Sequence, residues 1–354
     1  MPNPISKGLE KLKESLQAET PCLKVCMMGP RGVGKTTILT AVFNEAKDQI
    51  CDTQLKLIGR GDTEVRLLDR KRQLSSVFES KEQFTDTNLR AAGLKATAAE
   101  STFDFAFGLL GKDPKLNMEI KDFRGETVHD DPERVKSFIN DSAAILLAID
   151  TPMLMENKGE FHEHKNQPQL ITLFFRDTLP NIQSEKLIML IPLKCERYAH
   201  DGRMKEVLTR VETAYQPLIE LCRNNPLTCC AVAPIQTLGG VEFDRIGTDE
   251  KGNVKFGDDG FPEVIYRYTQ EAKYEPLFCA QPLYATLSFL FKQYTDKKAK
   301  ASIWQRLRGG LFNLFDNDKK LFEEMLKLEK HRLRDNPALG YKVECNSDRF
   351  FYDH

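Results

Sequence analysis

Residues Gly29-Pro30-Arg31-Gly32-Val33-Gly34-Lys35-Thr36 match the pattern GxxxxGK[ST] at every defined position. The chemistry such a stretch supports is the binding of a chain of phosphates. Its glycines permit a tight turn that aims successive backbone N–H groups at phosphate oxygens; Lys35 reaches the β- and γ-phosphates, and the Thr36 hydroxyl is a ligand for Mg2+. Gly29, Arg31, Gly32, Val33, Gly34, Lys35, Thr36 and Thr37 are therefore the candidate phosphate-binding residues, and Lys35 is also the candidate catalytic cation. A helix starting just after the loop would add the positive end of its dipole. Both flanks fit, because Leu23–Met28 reads as a buried strand and Thr37–Phe43 as a helix.

A second constellation lies downstream. Two apolar segments, Thr102–Leu110 and Leu116–Phe123, are separated by Gly111-Lys112-Asp113-Pro114, which signals a hairpin. The second segment runs into Asp122-Phe123-Arg124-Gly125. An acid at that point can hold Mg2+ through water, and the Gly125 N–H can meet a γ-phosphate only when that phosphate is present. A strand-terminal Asp that merely caps a helix is the plainer alternative.

These residues need a scaffold, and the pattern supplies one. Ala143–Asp150, Leu187–Leu193 and Thr228–Ala233 are continuous apolar runs of the kind found in covered parallel strands. Helical patterns at about 167–179 and 203–223 separate them, which predicts an α/β fold with a doubly wound sheet and right-handed crossovers. Ile5, Leu9, Leu12 and Leu16 suggest an N-terminal helix over 1–20. A long polar segment at 52–100 holds one helical pattern, Val65 to Phe78, and 239–262 reads as a surface loop or small hairpin. Pro282–Tyr294 closes the main domain, taken as 21–295, and 296–354 is expected to be a helical C-terminal extension ending in a helix at Phe322–Arg334.

Composition narrows the class. The 354 residues are 41% hydrophobic and 29% charged, with a formal net charge of -1, which argues against a dedicated nucleic-acid binder. No apolar run approaches the roughly 20 residues that span a bilayer, and the N-terminus lacks a signal-peptide core, so a cytoplasmic protein is expected. Nine cysteines without a CxxC pair suggest reduced thiols rather than a zinc site. His162-Glu163-His164 reads as solvated surface, since no third metal ligand is evident.

Together these features resemble the translation-factor-related (Ras-like) class of P-loop GTPases, and within it the bacterial double-GTPase domains linked to conflict and defence gene neighbourhoods. The resemblance is carried by residues 29–36, by Asp122–Gly125 with Glu126, by the Ala143–Asp150 strand and by Pro192-Leu193-Lys194-Cys195-Glu196, and covers about residues 20–295. It implies a mostly parallel sheet with one antiparallel strand, GTP/GDP and Mg2+ as cofactors, and slow GTP hydrolysis in a regulatory switch. It also implies a protein partner or effector and leaves a homodimer open. In the family's guanine-reading motif NKxD, Lys194 and Glu196 take the Lys and acid positions, while Leu193 stands in place of Asn. Glu196 would accept from guanine N1–H and N2, and Lys194 would lay its stem along the base. The family's switch I threonine is assigned to Thr97, with Ser101 and Thr102 nearby, and as a Mg2+ ligand it joins Thr36 and Asp122. Glu126 takes the water-orienting position, and Arg31 or Arg124 could serve as an arginine finger in cis.

Two other readings remain open. One is an ATP-binding P-loop enzyme such as a small-molecule kinase. The other is an interaction module whose nucleotide is structural and whose C-terminal region acts through Ile303, Trp304, Leu307, Leu311, Phe312, Leu314 and Phe315 beside Lys297, Lys298, Lys300, Arg306 and Arg308.

Overall fold

In the computed structural model, residues 20–78, 84–85, 100–123, 127–257, 260–270, 273–295, 318–347 and 351 are described. The N-terminal helix, Thr97, Arg124, Gly125, Glu126 and the 297–315 stretch lie outside the described residues.

Eleven strands are found among the described residues: β1 Cys22–Met28, β2 Leu55–Gly59, β3 Phe84–Thr85, β4 Ser101–Leu109, β5 Leu116–Asp122, β6 Ala144–Asp150, β7 Lys186–Leu193, β8 Thr228–Val232, β9 Val241–Ile246, β10 Val264–Tyr268 and β11 Lys342–Cys345. Eight form one sheet in the order β11-β8-β7-β6-β1-β5-β4-β2. The central strands β5, β1, β6, β7 and β8 run parallel, whereas β4 is antiparallel to β5 and β2. After β1 the chain builds on one side of it and then, from β6 onward, on the other. Such a reversal opens a crevice at the C-terminal ends of the strands, where open α/β sheets bind ligands.

Alternation along each central strand explains why helices cover both faces. Leu23, Val25 and Met27 of β1 join one core with Ala144, Leu146, Leu187 and Met189, while Cys26, Met28, Ile145, Leu147 and Ile188 join the opposite core. The first core is covered by helices Lys35–Ala46 and Gln281–Thr295, the second by Pro132–Asp141, Pro168–Thr178, Met204–Ala214 and Gln216–Asn224.

Several expectations are corrected here. The polar 52–100 segment begins with an edge strand, β2, before the expected helix Thr63–Val77. The 203–223 pattern is two helices, because Tyr215 leaves helical geometry (φ −109°, ψ 13°) just ahead of Pro217. Of the two readings given to 239–262, surface loop or small hairpin, the hairpin is closer: β9 pairs antiparallel with β10, and β3 adds a third strand in the order β3-β10-β9. The C-terminal segment, expected to be wholly helical, contributes helix Lys319–Leu328 and the strand β11. Leu321, Met325, Leu328, Tyr341 and Phe351 are buried in the first core, and β11 pairs antiparallel with β8, a second antiparallel strand in the main sheet. No described helix is long and apolar enough to cross a membrane.

Candidate functional site

The phosphate loop follows β1 directly and leads into the helix Lys35–Ala46. Its geometry depends on glycine at two points. Gly29 adopts φ +146°, and a Cβ there would meet the Ala148 carbonyl oxygen at 2.6 Å. Gly34 adopts φ +118° as the helix N-cap, and no side chain caps that terminus. The first-turn N–H groups and the dipole end are thus left to an anion. Arg31 and Gly32 form the exposed apex of the loop, while Val33 is fully buried and Thr37 nearly so.

Lys35 is buried and reaches back across the loop. Its ammonium donates to the carbonyls of Gly29 at 2.8 Å and Pro30 at 3.2 Å and stands 3.6 Å from Asp122 Oδ1. The β-sheet register brings Asp122 there, because it is the last residue of β5 and lies opposite Met27 of β1. Burial pushes the Asp122 carboxyl up from its ordinary value; Lys35 and a hydrogen bond from the Thr36 side chain oppose that shift. Asp122 Oδ1 is buried without a hydrogen-bond partner. A hydroxyl, and a carboxylate whose Oδ1 lacks a hydrogen-bond partner, beside a phosphate cradle fit Mg2+, which keeps several waters and takes few protein ligands. Lys35, Thr36 and Asp122 are therefore brought together as the sequence suggested.

The loops after β7 and β8 border the same crevice. A Cβ built on Gly34 would lie 3.7 Å from Leu193 Cδ1 and 3.8 Å from Thr237 Cγ2, which sets both side chains beside the end of the phosphate loop. Lys194 takes a left-handed backbone (φ 62°), and its ammonium donates to Asp150 Oδ2 at 2.8 Å. Glu196 is buried, and its Oε1 accepts from the Leu238 N–H at 2.7 Å, the Thr237 hydroxyl at 3.1 Å and the Gly239 N–H at 3.4 Å. Burial pushes its carboxyl up from the ordinary value, and those donors oppose the shift. Glu196 thus fixes the loop that leads into β9.

One group of supporting residues was not read from the sequence. The stretch taken as solvated surface is a short helix, His162–Asn166, in which His162, Lys165 and Asn166 are buried. Asn166 grips both backbone groups of Asp150: its Oδ1 accepts from the Asp150 N–H at 2.7 Å, and its Nδ2 donates to the Asp150 carbonyl at 3.1 Å. That fixes the amide orientation, so His162 Nδ1, 2.9 Å from Asn166 Nδ2, must be the acceptor. Lys165 donates to the Arg31 carbonyl at 3.2 Å. A charged pentapeptide, HEHKN, gives little hint of such burial.

No protein-family model matches the chain, and no curated protein does. Among solved structures it is similar to the GTPase-like domain of S. cerevisiae Ski7 bound to GTP, at 15% identity and a TM-score of 0.41, covering 63% of this chain and 45% of that one. The same domain bound to GDP and inorganic phosphate aligns at 15% identity and a TM-score of 0.37, covering 69% and 48%. The chain spans about half the length of those structures. The chemistry of the site rests on its own geometry.

Proposed function

We propose that this protein is a P-loop GTPase that binds GTP and GDP with Mg2+ and hydrolyses GTP slowly as a regulatory switch. The observation that carries this is the convergence of Lys35, Thr36 and the unsatisfied Asp122 Oδ1 beside a helix N-terminus that no side chain caps. In this reading the loop N–H groups and Lys35 hold the phosphates, and Thr36 and Asp122 hold the hydrated metal, which supplies charge neutralisation for phosphoryl transfer. Thr97 and Gly125 are proposed to close on the γ-phosphate. Glu126 beside that phosphate would repel it, which makes intrinsic turnover slow and leaves room for an accelerating partner. Arg124 and Arg31 are the proposed cis cations. A place in a bacterial defence or conflict system follows from the family resemblance alone.

Guanine preference is assigned to Glu196. Adenine has no donor pair for a carboxylate, whereas guanine N1–H and N2 do. Oε1 already accepts three bonds from 237–239, so in this reading the second oxygen is the one proposed to accept from the base. That engagement also favours a second reading, a P-loop protein that accepts ATP as readily. Single-turnover hydrolysis of GTP and ATP with Mg2+ or EDTA tests both. The expected result is slow, Mg2+-dependent GTP turnover that falls at least about 100-fold in Asp122→Asn. Turnover indifferent to EDTA and to Asp122→Asn would remove the hydrolytic role; equal ATP turnover would remove the guanine assignment.

A further inference from the structure

We propose that Lys165 is a positioning residue of the phosphate loop, acting through the Arg31 carbonyl and held in place by Phe261. Lys165 lies in the short helix His162–Asn166, far from the loop in sequence, yet its ammonium donates to the carbonyl of the exposed apex residue Arg31 at 3.2 Å. Its side chain is nearly covered, at 7% exposure. The covering group is the Phe261 ring, whose centroid stands 3.7 Å from the ammonium, a close cation–π contact. Phe261 belongs to the excursion between β9 and β10, where the Gly257 N–H donates to the Phe261 carbonyl at 2.9 Å and the ring also packs 4.9 Å from His164.

The consequence for the loop follows from peptide geometry. No peptide bond among the described residues is cis, so the Arg31 C=O and the Gly32 N–H point in opposite directions across one rigid plane. A cation that fixes the carbonyl on one side fixes the N–H on the other, where a phosphate loop needs donors. A charge-assisted bond to the carbonyl also polarises that peptide and strengthens its N–H as a donor. Gly32 carries no side chain and has a left-handed φ of +75°, so its own backbone restrains this plane little. Lys165 itself is well anchored, because the next residue, Asn166, is bonded to both backbone groups of Asp150. The excursion between β9 and β10 thereby reaches the phosphate loop through the Phe261 ring and the Lys165 ammonium.

This inference rests on the reading of residues 29–36 as a nucleotide-binding loop, and the experiment separates the two. Isothermal titration of GTP with Mg2+ is run on the wild type, Lys165→Met, Lys165→Arg and Phe261→Leu, with thermal midpoints measured without nucleotide. Lys165→Met is expected to bind GTP about ten-fold or more weakly, Lys165→Arg to recover to within about three-fold of wild type, and Phe261→Leu to fall between them. Recovery by Arg is the readout that a merely structural role would not give, since Arg restores the donor and not the shape. If Lys165→Met does not fold, Phe261→Leu and Lys165→Arg carry the comparison: a Phe261→Leu protein that binds like wild type overturns the proposal. Equal binding by Lys165→Met, or an Arg variant as weak as Met, also overturns it while leaving the nucleotide reading intact. A wild type that binds no GTP removes that reading itself.

Discussion

The Lys194 ammonium is bonded to Asp150 Oδ2 at 2.8 Å, joining the loop after β7 to the end of β6. Asp150 is 1% exposed and also caps the short helix that follows it, Thr151–Met155, by accepting from the Met153 N–H. The lysine expected to lie along a base therefore also neutralises a buried carboxylate, and Tyr266 of the second sheet lies 5.8 Å away from its ammonium.

Removing only one partner of such a pair leaves a buried charge unpaired. Lys194→Met is expected to destabilise the protein by about 3 kcal/mol. Adding Asp150→Asn should recover a large part of that loss, since the amide oxygen can still accept from Met153. Urea unfolding of the single and double variants checks this; equal loss in both would show that the ion pair is not the source.

The next link in the chain is pH-sensitive. Burial holds His162 down to about 4, and its Nδ1 is committed as the acceptor from Asn166. The unfolded chain, near 6.5, takes up a proton that the folded chain refuses. Stability should be full above about pH 6.5 and drain as pH falls through 4, by on the order of 3 kcal/mol in total. Denaturation curves from pH 7 to 4 should show that slope in the wild type and a shallower one in His162→Gln. An identical slope in both would assign it to other groups.

The two special glycines of the loop should respond differently to a methyl group. Gly29→Ala combines a left-handed φ with a Cβ 2.6 Å from the Ala148 oxygen, whereas Gly34→Ala meets nothing closer than 3.7 Å. Gly34→Ala is expected to cost about 1–2 kcal/mol from backbone strain alone. Gly29→Ala should cost clearly more, because Ala148 is backbone and cannot step aside. Thermal unfolding of the two variants orders them; a Gly29→Ala protein as stable as Gly34→Ala would contradict the geometry.

Local signals carried much of this fold and part of its site. The phosphate loop is contiguous, and the central strands are apolar from end to end, as in Ile145–Ile149 and Leu187–Ile191. Edge strands escaped for a physical reason. Leu55-Lys-Leu-Ile-Gly59 and Lys342-Val-Glu-Cys345 are half-solvated, so their composition resembles that of a loop. Burial of His162, Lys165 and Asn166 was equally invisible, because it is imposed by Asp150, Tyr215 and Phe261 from distant parts of the chain. The bonds that Glu196 accepts from 237–239 were out of reach as well, since those donors follow a different strand.

In the proposed function, Lys35 and its loop hold a guanine nucleotide. Titrating the purified protein with GTP, GDP and ATP in Mg2+, beside Lys35→Ala, tests it most directly. GTP and GDP are expected to bind more tightly than ATP, with at least a 100-fold loss for Lys35→Ala, as when a charge-assisted phosphate contact is removed from a buried site. Unchanged affinity in Lys35→Ala, or no nucleotide binding by the wild type, would contradict it.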